Sequence, residues 1–150
     1  MKIKTIISVL AILILACSIT AIAAEDIEYS GHTFEIPEGY TVYSSNESNL
    51  VLTQDDDHII VVLYSDEISD SEDSIKSLES KGYKFIGEET YDAEGYEVTQ
   101  QNYEKDPYTA LSYSFKIDGE YCIISYTQPV DETIPEGSDN PITGILKTMN

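Results

Sequence analysis

The sequence predicts an α+β domain, an α/β/α sandwich in which a mainly antiparallel sheet carries one short helix on each face. Three observations lead there. Leu111, Tyr113, Phe115 and Ile117 alternate with Ser112, Ser114 and Lys116 and run into Asp118-Gly119, a two-residue hairpin turn. Ile59-Ile60-Val61-Val62-Leu63 is apolar at every position, the mark of a strand covered on both sides. Two stretches with helical spacing, Ile75/Leu78 and Ile142/Ile145/Leu146/Met149, can supply a cover for each face.

Ahead of these elements, Lys2 and Lys4, an apolar run over 6–24 and the small-residue exit Ala21-Ile22-Ala23 make residues 1–23 a cleavable secretory signal. Left uncut, the run is about long enough to anchor the chain in a bilayer. Ile14-Leu15-Ala16-Cys17 has lipobox character, but the apolar run continues past Cys17, which therefore reads as part of the signal core. Residues 24–150 then form a single domain, placed outside the cytoplasm.

Residues 33–36 and 40–44 are short strands around Pro37-Glu38-Gly39, where proline presets φ and glycine permits the reversal. Residues 49–53 and 58–65 flank Gln54-Asp55-Asp56-Asp57 as a hairpin. Ser69, three residues before Glu72, forms a capping box for a short helix, supported by a Glu72–Lys76 pair and stopped at Gly82. Residues 83–90 and 96–103 are two further strands around Asp92-Ala93-Glu94-Gly95. The Asp118-Gly119 turn then sets Phe115 opposite Cys122, Tyr113 opposite Ile124 and Leu111 opposite Tyr126, with all six on one face. Asn140 caps and Pro141 opens the final helix.

The chain carries 28 acidic residues against 8 basic ones, all lysine, for a net charge of −20. Every acid lies beyond the signal. Such a chain repels phosphate, which excludes nucleic acid as a partner and membrane binding through a basic patch. Cys122 is the one cysteine beyond the signal, so no intramolecular disulfide forms and the core alone holds the fold. Its register predicts a buried thiol with a raised pKa.

No catalytic constellation emerges. His32 follows Gly31 in a turn and His58 opens a strand after an Asp run, so both read as solvent-edge residues, and no serine stands in G-x-S-x-G. Too few Cys and His remain for a structural zinc site. Calcium is the one cofactor with candidate ligands: Asp55, Asp56 and Asp57 at a hairpin tip, and Asp66, Asp70 and Glu72 before the helix. Neither group matches a calcium-loop pattern, and Asp favours turns and caps for local reasons. Asn46-Glu47-Ser48 is a glycosylation sequon. The 12 tyrosines could line a ligand surface, although strands favour them for filling half-buried positions.

Phe34-Glu35-Ile36-Pro37-Glu38-Gly39-Tyr40 close behind a signal, paired early strands, one helix, paired later strands holding Phe115-Lys116-Ile117-Asp118-Gly119-Glu120-Tyr121, and a short terminal helix follow one another here. In that order residues 31–150 resemble the PsbP-like superfamily. The resemblance implies an α/β/α sandwich around an antiparallel sheet. Exported single-domain lipoproteins and surface proteins are common in that group, and small exported proteins of methanogenic archaea are similar in style. Fold alone carries over, because no photosystem-binding motif is matched.

The expectation is a non-enzymatic, secreted or cell-surface domain that acts by binding another envelope or surface protein. The alternatives are an extracytoplasmic calcium or small-ligand binder, and a hydrolase working through two carboxylates in a Tyr-lined cleft.

Overall fold

A computed structural model describes residues 25–135 and 140–150, so the signal segment 1–23 and its cleavage site lie outside the described residues. Among the described residues, nine strands and two helices follow in the order β1 (Asp26–Tyr29), β2 (His32–Glu35), β3 (Thr41–Ser45), β4 (Leu50–Thr53), β5 (Ile59–Ser65), α1 (Ser71–Ser80), β6 (Lys84–Ala93), β7 (Tyr96–Lys105), β8 (Tyr108–Ile117), β9 (Glu120–Pro129) and α2 (Pro141–Thr148). β1 and β2 form a separate hairpin; the rest make a seven-stranded antiparallel sheet ordered β3-β4-β5-β9-β8-β7-β6. The chain is thus a mixed α+β fold, as the patterning predicts. No described helix is long and apolar enough to cross a membrane.

The β8–β9 register is the expected one: Phe115 pairs with Cys122, Tyr113 with Ile124 and Leu111 with Tyr126. Asp118 (φ 50°) and Gly119 (φ 84°) both sit in the left-handed region, which matches the twist of the flanking strands. The core lies on that face. Leu50, Leu52, Ile60, Val62, Leu111, Cys122 and Ile124 are fully buried there beneath Phe34 of β2 and Ile142, Ile145 and Leu146 of α2. α2 begins as anticipated: Asn140 Oδ1 accepts from the Ile142 N–H at 2.9 Å with Pro141 in the first turn.

Several boundaries differ from the sequence reading, each for a physical reason. β1 is an added strand: Ile27 and Tyr29 face inward, and Ser30-Gly31 turns the chain with positive φ. β6 and β7 run up to a two-residue Glu94-Gly95 turn, because Asp92 and Ala93 still pair with Glu97 and Tyr96. The cap of α1 is Asp70 rather than Ser69. The Asp70 carboxylate accepts from the Asp73 N–H at 2.8 Å, and a charged oxygen suits the positive end of a helix. At the other end Gly82 (φ 92°) closes a Schellman turn, with Tyr83 N–H bonded to the Leu78 carbonyl at 3.1 Å and Gly82 N–H to that of Glu79 at 3.0 Å.

α1 lies along the opposite side of the sheet, against the β6–β7 edge. There Lys105 Nζ donates to the Lys81 carbonyl at 3.0 Å, and Tyr83 meets the buried Tyr103 edge-on at 6.4 Å. None of its residues is fully buried.

Candidate functional site

The two histidines stand at opposite ends of the central pair β5–β9, in quite different surroundings. His58 ends the β4–β5 turn. Its Nδ1 meets Asp55 Oδ1 and Oδ2 at 2.8 and 2.9 Å, and its Nε2 meets Glu132 Oε2 and Oε1 at 2.8 and 3.0 Å. The Glu132 hydrogen bond, together with that of Asp55 and against partial burial, raises its pKa above the usual histidine value. The hydrogen bond from His58 in turn lowers that of Asp55. Both ring nitrogens are spent on carboxylates, so neither is free to take a proton from a substrate hydroxyl.

His32 was expected at a solvent edge and is instead buried at 4 % exposure. Its ring stacks on Tyr64 with centroids 4.6 Å apart, and Asp118 and Glu120 approach its two nitrogens at 3.8 and 3.6 Å. Among the described residues Nδ1 finds no hydrogen-bond partner. The missed strand β1 explains the difference: once Tyr29 pairs with His32, the turn closes over the core and takes the imidazole with it. The two rings are thus packed far from each other along the sheet and form no shared site.

The calcium candidates are dispersed. Asp55 Oδ1 accepts from the N–H groups of Asp57 and His58 at 2.9 and 2.8 Å, Asp57 Oδ1 accepts from the Tyr108 hydroxyl at 3.0 Å, and Asp56 is exposed. Asp66 is exposed beyond β5, Asp70 caps α1, and Glu72 pairs with Lys76 at 2.7 Å. Among the described residues no three His, Cys, Asp or Glu side chains gather as a metal-ion cluster. Asn46, the sequon residue, is exposed in the β3–β4 turn, where its Oδ1 accepts from the Ser48 and Asn49 N–H groups at 2.8 and 3.1 Å.

Cys122 is fully buried in the core, where loss of solvation pushes its thiol up to about 12. The Tyr64 hydroxyl lies beside it and donates to Met149 Sδ at 3.7 Å, and burial raises that phenol too. Most tyrosines likewise fill the sheet. Tyr91 donates to Gln100 at 2.8 Å, Tyr103 to Gln101 at 2.7 Å, and Tyr113 accepts from Asn140 Nδ2 at 2.8 Å. Tyr43 is the exception, 76 % exposed at a bulge of the edge strand β3.

The face of the sheet away from the core carries an extended apolar surface. Val51 of β4 pairs with Val61 of β5, and Leu63 pairs with Ile123 of β9. With Ile59 they form a continuous aliphatic strip that stays half-buried, flanked by Ser112, Ser125 and Thr127. The uninterrupted apolar run over 59–63 is the sequence signal for it; α1 adds little cover because it packs at the β6 end of the sheet, whereas the strip lies on β4, β5 and β9.

Comparison with known proteins supports this architecture. No family model matches the chain, and no curated protein matches it. Among solved structures, the solution structure of cyanobacterial PsbP (CyanoP) from Synechocystis sp. PCC 6803 superposes with a TM-score of 0.55 at 15% identity, covering 75% of this chain and 84% of that one. A Pseudomonas aeruginosa protein of unknown function described as a putative regulator covers 78% of this chain and 100% of its own at 9% identity, with a TM-score of 0.42, too low to carry an argument. The antiparallel pairing and the short helices of the described residues therefore make a PsbP-like fold.

Proposed function

We propose that this chain is an exported, non-enzymatic domain that acts by binding another envelope or surface protein. The observation that carries the reading is the half-buried strip of Val51, Ile59, Val61, Leu63 and Ile123 on the second face of the sheet. A contiguous apolar surface of this kind is worth covering, since each Å² removed from water contributes about 25 cal/mol. Net charge narrows the choice of partner. With −20 on this chain, approach is favoured for a protein with a neutral or lysine-rich rim around its own apolar patch and is opposed for an acidic one. Export rests on the basic, apolar and small-residue parts of residues 1–23.

The test is a pair of substitutions. Val61→Lys with Leu63→Lys places two charges on the strip, while lysine stems can still lie along apolar surface with their heads in water. The full chain is expressed in its own cells and its envelope extract separated by size under native conditions. The unsubstituted chain is expected in an assembly larger than itself and the double variant alone at monomer size. Identical migration of the two would overturn the reading.

A further inference from the structure

The free edges of the large sheet are closed to strand addition, β3 by its bulge at Tyr43, and β6 by its bulge at Ile86 and the exposed Glu88, Glu89 and Asp92. His58 presents a different kind of feature, a single side chain joining two remote segments through charge. We propose that His58 is a proton-operated clasp: as an imidazolium it fastens the segment after β9 to the β4–β5 turn through Glu132, and on losing its proton it lets that segment go.

The geometry makes the two carboxylates unequal. Asp55 belongs to the same turn, and its Oδ1 is also held by the N–H groups of Asp57 and His58, so it stays in place whatever the charge on the ring. Glu132 is 74 residues away, and the ring is the described side-chain partner of its carboxylate. A neutral imidazole keeps one N–H. Held on Nδ1 by Asp55, that proton leaves Nε2 as a bare lone pair facing a carboxylate at 2.8 Å, acceptor against acceptor. Repulsion then replaces a charge-assisted pair, and the exposed carboxylate swings to water.

Other groups face the clasp from each packed element. The turn brings Asp56 and Asp57, the latter held by Tyr108; the segment brings Glu132, preceded in the chain by Asp131; and the sheet brings the phenols of Tyr40 and Tyr126, within electrostatic reach of both Asp55 and Glu132. All are acids or phenols, so the surroundings favour the charged ring, in line with its raised pKa. Release is partial. Val130 N–H still bonds the Pro107 carbonyl at 2.9 Å, and Gln128 Nε2 still donates to the carbonyls of Glu132 and Thr133 at 3.2 Å. What loosens is the stretch to Ile134, which packs at the rim of the core.

The test follows the His58 ring and the amides of residues 131–134 by NMR across the histidine range of pH, on the full chain and on Glu132→Gln and His58→Gln. In the unsubstituted chain the ring is expected to titrate above an ordinary histidine, with amide exchange at 131–134, corrected for its intrinsic pH dependence, rising several-fold in step. Glu132→Gln is expected to bring the titration down, and His58→Gln to leave the corrected exchange flat with pH. A ring that titrates at or below the ordinary value, or exchange that ignores its titration, would overturn the proposal.

Discussion

Thr33 and Asn150 exchange both backbone hydrogen bonds, the Thr33 N–H to the Asn150 carbonyl at 3.1 Å and the Asn150 N–H to that of Thr33 at 2.9 Å. Residues beyond α2 therefore extend the β1–β2 hairpin as if they were a short third strand. Glu35 N–H adds a bond to Thr148 Oγ1 at 2.9 Å. The helix, the hairpin and the core face of the sheet are bound into one layer by these bonds and by Ile142, Ile145 and Leu146.

Removing the centre of that layer should be costly. Ile145 is fully buried, so Ile145→Ala is expected to lower stability by about 2–5 kcal/mol, lost transfer energy plus an unfilled cavity. Urea unfolding checks this, with a lower midpoint at unchanged slope.

Gly119 tests the hairpin through its backbone alone. A Cβ there meets nothing within 4 Å, yet φ is +84°, so Gly119→Ala should cost about 1–2 kcal/mol from conformation with no clash. The same unfolding measurement reads it, and a neutral result would contradict the turn geometry.

The Cys122 thiol should be silent in the folded protein. At about 12, its thiolate fraction near pH 8 is roughly three orders of magnitude below that of a free cysteine, and the sulfur is sealed from reagent. A thiol reagent is expected to modify it only on unfolding, at the global opening rate. Rapid labelling of native protein would show that the β8–β9 core opens locally.

Stability should depend on pH in two opposite ways around His58. Its pKa is raised in the fold, so its stabilisation is complete below the unfolded histidine value and disappears as pH rises through the folded one. Asp55 is lowered, so its share is present above the unfolded carboxyl value and disappears as pH falls through the folded one. The difference in unfolding free energy between the unsubstituted chain and His58→Gln is therefore expected to peak between these limits and shrink on both sides.

What was legible in the sequence was whatever had a local cause. The β8–β9 register followed from Asp118-Gly119 and strict alternation, the α2 start from Asn140-Pro141, and the second hairpin from branched residues around an Asp run. β1 was also written locally, in Ile27 and Tyr29 before Ser30-Gly31, but its four residues are too short to stand out from the exit of the apolar segment. The histidine surroundings were not legible. His32 is buried only because the hairpin folds onto Tyr64 and the β8–β9 turn, and the Glu132 partner of His58 lies 74 residues away, so no spacing rule connects them. The half-buried strip on the second face was half visible. The run over 59–63 showed that two apolar faces existed, while the packing of α1 at the β6 end of the sheet, which no local spacing sets, decided how far one of them is covered.

The most direct measurement is site-specific photo-crosslinking from that strip, in cells producing the full chain. A crosslinker at position 61 is compared with one at Ile60, whose side chain points into the core, and one at the exposed Glu28. A discrete adduct from position 61, absent from 60 and 28 and lost when Leu63 becomes Lys, is the expected result. No adduct from 61, or the same adduct from all three positions, would contradict a binding role for the second face of the sheet.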